Sequence, residues 1–182
     1  VSIAVLIPGH GYTTERPLLH FAAAVFRAHG WETHEVRWPE PPPARDGQEL
    51  TAWFDQLRAF TIAQVAPILD RMTAPRIALA GKSMGAFAAA LAADRGLPGI
   101  WLTPVLPDSP LPADLRRATA PFLLAGATVD RSWDPVIARS FGAPVYEAEG
   151  ADHGMEIDGE PVRSAGILRE VTIAMDEFVG EL

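Results

Sequence analysis

Arg76 to Gly96 reads RIALAGKSMGAFAAALAADRG, and few folds can accommodate it. The run Ile77–Ala80 is short and wholly apolar, as expected of a strand covered on both faces. Beyond Met84 the chain turns alanine-rich, which gives a narrow helix able to pack close, and Gly96 is a natural helix stop. Gly81-Lys82-Ser83-Met84-Gly85 joins the two. A strand handed to a helix through so short a turn needs glycines, because only they let the backbone bend so tightly.

The rest of the chain repeats the strand-to-helix theme. Ser2–Ile7 (SIAVLI), ended by Pro8-Gly9, reads as a buried parallel strand. A helix follows, with Thr13 or Thr14 as its cap, Pro17 in its first turn and Gly30 as its stop. Trp31–Trp38 is a less apolar strand, expected near a sheet edge, and Gln48–Met72 is a helix with Pro67 late in it. Gly99–Thr103, Pro121–Ala127 and Ala143–Glu149 read as three more strands, and the last helix as Ser164–Val179. Such alternation calls for a parallel sheet with helices on both faces, a three-layer α/β sandwich. The 182 residues suit one domain with a single well-buried core, spanning residues 1–182. The 17 prolines gather in WPEPPPARDG and TPVLPDSPLP, where they stiffen loops.

Charge and composition narrow the partners. A formal net charge of −8 repels nucleic-acid phosphates and anionic lipid surfaces. No apolar run approaches the ~20 residues of a membrane span. With no cysteine there is no disulfide, thiolate metal site or cysteine nucleophile, and a cytoplasmic location is expected. The opening VSIAVLIPGHG reads as a core strand and not as a signal peptide.

The letters GKS also invite a phosphate-loop reading. That motif needs a glycine five residues before Gly81, where Arg76 stands, and the intervening IALA is strand and not loop. The G-x-S-x-G nucleophile elbow fits instead, with Ser83 lifted clear of the sheet; the plain competing role is a serine that caps the helix. An elbow serine needs an acid and then a histidine later in the chain. Of His10, His20, His29, His34 and His153, only His153 follows Ser83, in a glycine-bearing loop after the last strand. Asp130 and Asp134 follow the fifth strand. Asp130 is preferred, being closer to the strand end, while Asp134 before Pro135 suits the first turn of a helix. An oxyanion hole would take one N–H from Met84 and one from the PGHGYTT loop, from Tyr12 first and Gly11 next. His10 is expected to shape that loop by hydrogen bonding.

On the motifs GHGYT, GKSMGA, GATVD and GADHG, in that order, the chain resembles the α/β-hydrolase superfamily. It looks most similar to small bacterial members related to the dienelactone hydrolases and to the testis-expressed/NSL-complex-subunit-like group. The resemblance implies about six mainly parallel strands in the order 2-1-3-4-5-6, with a reduced N-terminus. The link between the fourth and fifth strands is too short for a helical cap domain. The dienelactone hydrolases proper use a cysteine nucleophile, which this chain lacks.

The expected chemistry is acyl transfer from a small carboxylic ester through a Ser83-His153-Asp130 triad, with no cofactor and no metal. Trp38, Trp101, Pro104 and Trp133 fall near strand ends and are candidates for an apolar pocket wall. The protein is expected to be a monomer or homodimer. Two other functions fit the same residues: an acyltransferase variant, and a non-catalytic scaffold on this fold.

Overall fold

A computed structural model describes residues 1–182. The strands are β1 (Ile3–Ile7), β2 (Glu32–Glu35), β3 (Ile77–Lys82), β4 (Gly99–Leu102), β5 (Phe122–Ala127) and β6 (Val145–Ala148). They form one sheet in the order β2-β1-β3-β4-β5-β6, and every neighbouring pair is parallel. The helices are α1 (Pro17–Ala28), α2 (Leu50–Asp70), α3 (Ala89–Arg95), α4 (Leu111–Arg116), α5 (Pro135–Arg139) and α6 (Pro161–Gly180). The chain winds outward from β1 to β2, then returns past β1 to build β3 through β6. The direction of winding therefore reverses between β1 and β3, and a crevice opens there at the strands' carboxyl ends.

Strand parity divides the core. Val5, Ile7, Leu79, Trp101 and Leu124 face one way, toward α2, α3 and α4. Ala4, Leu6, Ala78, Ala80, Ile100, Leu102 and Ala125 face the other, toward α1 and α6. Alternate side chains of a strand point to opposite faces, so both layers are apolar and the strands read as continuous apolar runs.

Three local expectations give way. α1 takes Arg16 as its N-cap with no side-chain cap bond, and Pro17 opens it; the Thr14 hydroxyl instead donates to Glu35, 3.2 Å away. β2 stops at Glu35 because its one pairing strand, β1, runs into Pro8, which has no N–H to offer. Ser83–Ala88 forms a 3-10 helix before α3 begins. That turn is pressed against β1: a side chain on Gly85 would meet the carbonyl oxygens of Ile7 and Pro8.

Between β4 and β5 the only helix is the six-residue α4, so no cap domain covers the sheet. α4 is pinned to α2 by Asp114, which accepts two hydrogen bonds from Arg58 (2.6 and 2.8 Å) and one from Arg117 at 3.3 Å. No helix is long and apolar enough to cross a membrane.

Candidate active site

β3 carries Ser83 to the edge of the crevice. Ser83 has a φ of +53°, a left-handed conformation that costs a non-glycine residue energy and that the surroundings must hold. The glycines either side make this possible. A Cβ on Gly81 would strike the Gly85 backbone, and one on Gly85 would strike β1. As the second residue of the 3-10 turn, Met84 presents a first-turn N–H with no intrahelical partner.

Two loops beyond β5 and β6 approach Ser83 together. Thr128 N donates to Ala148 O, Val129 N to Ala151 O, and Gly150 N to the Thr128 hydroxyl at 2.8 Å. Asp152 tightens the second loop by accepting from Gly154 N (2.7 Å) and Glu156 N (3.1 Å). His153, held between these turns, reaches both ways. Its Nε2 lies 2.8 Å from Ser83 Oγ and its Nδ1 lies 2.7 Å from Asp130 Oδ2. The other Asp130 oxygen accepts from Ser132 N at 2.8 Å. With Asp130 ionised, Nδ1 is the donor and Nε2 is left to accept the serine proton. Asp134 stays apart: its carboxylate caps α5, accepting from Val136 N (2.8 Å) and Ile137 N (3.0 Å).

The first-strand loop turns on itself, Gly9 N donating to Tyr12 O at 2.9 Å. The N–H groups of Gly11 and Tyr12 donate to no backbone acceptor. Tyr12's side chain points away from Ser83. Its hydroxyl accepts from Leu18 N at 3.0 Å, and the Lys82 ammonium lies 4.8 Å from its ring centre. Lys82 is only 3 % exposed, and burial pulls its pKa down to about 8. His10, not Tyr12, faces Ser83. It forms none of the expected side-chain hydrogen bonds and packs edge-on against Trp53, the ring centres 6.0 Å apart.

Ser83, Met84 and His153 floor a cleft of about 440 Å³. Leu50, Trp53, Phe54 and Leu57 of α2 form one wall, Val105 and Pro107 another. His10, Asp108, Arg131 and Ser132 supply polar groups. None of the four residues expected in this wall lines it. Trp101 points into the core, its indole lying over Gly99 where a side chain would collide. Pro104 is buried behind the loop. Trp133 lies flat on Gly126, and its indole N–H donates to Glu147 at 2.6 Å. Trp38 lies beyond the Gly9–Tyr12 loop in a separate hollow, its indole N–H directed at Gly9 O. The α2 stripe at 50, 53, 54 and 57 was the readable signal that sequence reasoning missed.

No protein-family model matches the sequence, and no curated protein matches it. Solved structures do match in shape. An α/β serine hydrolase homologue from Coxiella burnetii is 18 % identical, with 97 % of this chain and 84 % of that chain covered and a TM-score of 0.65. Est1E from Butyrivibrio proteoclasticus, with ferulic acid bound, is 16 % identical over 100 % of this chain and 89 % of that one, with a TM-score of 0.70. A dienelactone hydrolase from Anabaena variabilis is 18 % identical over 94 % and 84 %, with a TM-score of 0.55. By architecture and strand order, this chain has the α/β-hydrolase fold, in a small form without a lid.

Proposed function

We propose that the protein is a serine hydrolase that cleaves a small carboxylic ester through an acyl-enzyme on Ser83. One observation carries the reading: the unbroken contact from Asp130 through the imidazole of His153 to the Ser83 hydroxyl, at 2.7 and 2.8 Å. In this reading His153 Nε2 takes the Ser83 proton as Oγ attacks the ester carbonyl. Asp130 holds the Nδ1–H tautomer and stabilises the imidazolium. The N–H of Met84 and an N–H of the Gly11-Tyr12 pair receive the oxyanion. The same imidazolium then protonates the departing alkoxide. Water attacks the acyl-enzyme, with His153 again as base, and frees the acid and Ser83.

The cleft's form favours a compact acyl group. The wall of Trp53, Phe54 and Leu57 suits an aryl or short alkyl chain. The ferulic acid bound by Est1E, an aryl acid, is of that kind. The test is intact-mass labelling with a fluorophosphonate. One adduct is expected on the wild type and none on Ser83→Ala, with His153→Ala slowed by about 10³-fold or more. A folded wild type that takes no label overturns the reading.

A further inference from the structure

His153 stands on a loop with open space on both sides. Of residues 152–161, only His153 lines the Ser83 cleft. Asp152 and residues 154–161 line a second hollow, of about 520 Å³, together with the first turns of α1 and α6. The loop is thus a thin wall between two cavities, and packing alone does not hold it. Nor does the backbone of His153, since neither its N–H nor its carbonyl makes a backbone hydrogen bond. Where the imidazole sits is decided by its neighbours.

Those neighbours close a ring. Asp152 N donates to Glu156 O, and Met155 N donates to Asp152 O, both at 2.9 Å. Asp152 Oδ1 accepts from Gly154 N at 2.7 Å and from Glu156 N at 3.1 Å, so one side-chain oxygen ties the start of the ring to its end. Met155 anchors the ring to the core: it is 2 % exposed, packs in the α1–α6 layer and holds a φ of +58°. A left-handed conformation costs a methionine energy, and its buried side chain keeps it there.

Resting on the acyl-transfer reading, we infer that Asp152 is a positioning residue: its Oδ1 clasps the loop and so fixes the reach of His153 to Ser83. Geometry does this and not charge. Both bonds fall on one oxygen, and an amide carbonyl accepts two bonds as a carboxylate oxygen does. The carboxylate's charge is felt elsewhere, at the Lys82 ammonium, whose charged form it favours. Without the clasp the two backbone bonds still fold the loop. Gly154 N and Glu156 N then turn to water, and the imidazole loses its fixed aim; a misplacement of about 1 Å costs about 10²-fold in rate.

The experiment measures fluorophosphonate labelling of Ser83 together with the downfield proton resonance of the His153 Nδ1–H that is bonded to Asp130. Asp152→Ala is expected to label about 10- to 100-fold more slowly than the wild type and to broaden that resonance. Asp152→Asn removes the charge but keeps the carbonyl oxygen. It should label within about threefold of the wild type, with the resonance sharp. Asp152→Ser, whose hydroxyl bonds nearby N–H groups more weakly, should fall between them, and it stands in for Asp152→Ala if that variant folds poorly. Asp114→Ala, loosened at the α2–α4 joint, should label normally, which separates the effect from lost stability. An Asp152→Ala that labels at the wild-type rate overturns the positioning role. An Asp152→Asn as slow as Asp152→Ala makes charge the cause and overturns the clasp. A folded wild type that never labels overturns the acyl-transfer reading. The clasp is then decided by the resonance: broadening in Asp152→Ala and not in Asp152→Asn keeps it, and no difference between them overturns it.

Discussion

Asp114 and Asp130 are both buried carboxylates, 4 % and 7 % exposed, and each is fully hydrogen-bonded. Their partners make them opposites. Asp114 is forked by Arg58 and touched by Arg117, and a guanidinium keeps its charge at any pH a protein survives. Asp130 is bonded to a backbone N–H and to an imidazole, the one side chain whose ordinary charge change lies near neutrality. The first arrangement joins α2 to α4 and contributes nothing to the lining of the Ser83 cleft. The second opens on a cleft through His153. Burial and pairing alone do not distinguish a structural carboxylate from a chemical one; what its partner can do with a proton does.

Substitutions should pull the two apart. Asp130→Asn is expected to slow Ser83 labelling and ester turnover by about 10³–10⁴-fold, since the imidazole would be held in the wrong tautomer. Its melting temperature should move little. A variant that melts early and labels normally would make Asp130 a second Asp114. Asp114→Ala should do the reverse. It removes the forked bonds from the part-exposed Arg58 and should cost about 1.5–3 kcal/mol in urea denaturation, with the labelling rate of the folded protein unchanged. The smallest effect is expected at Asp134. Asp134→Ala removes the α5 cap, worth about 1 kcal/mol, and should leave labelling untouched. Slow labelling there would transfer the acid's role to Asp134.

Much of this architecture was legible from residues. Six short apolar runs alternating with helical segments imply a parallel sheet, and Gly81-Lys82-Ser83-Met84-Gly85 marks the strand-to-helix turn. The three residues that the structure brings together could be chosen from the sequence: Ser83 from its motif, His153 from chain order, and Asp130 from chain order and closeness to the strand end. The cleft wall could not. Position near a strand end does not say which way a side chain points. Trp101 lies on the same sheet face as the cleft wall, but its indole turns back over Gly99 at the start of β4, and Trp133 is drawn down onto Gly126 by the space that glycine leaves. Trp53 and Phe54 lie far in sequence from every motif. They reach the cleft because α2 packs along the 3-10 turn that follows Ser83. The burial of Lys82 was hidden for a related reason: a lysine in a motif gives no sign that a ring from another segment will cover it.

Ser83 and His153 are 70 residues apart in the chain. On the acyl-transfer reading, that distance is a safety interval. At ordinary synthesis rates the ribosome needs roughly 4–14 s to pass from one to the other. Through that time the elbow serine is an ordinary alcohol, unable to acylate itself on the esters of a crowded cell. The same separation makes an active-site label a direct count of finished molecules, because a chain that has not closed its last two loops onto β3 has nothing to offer the probe.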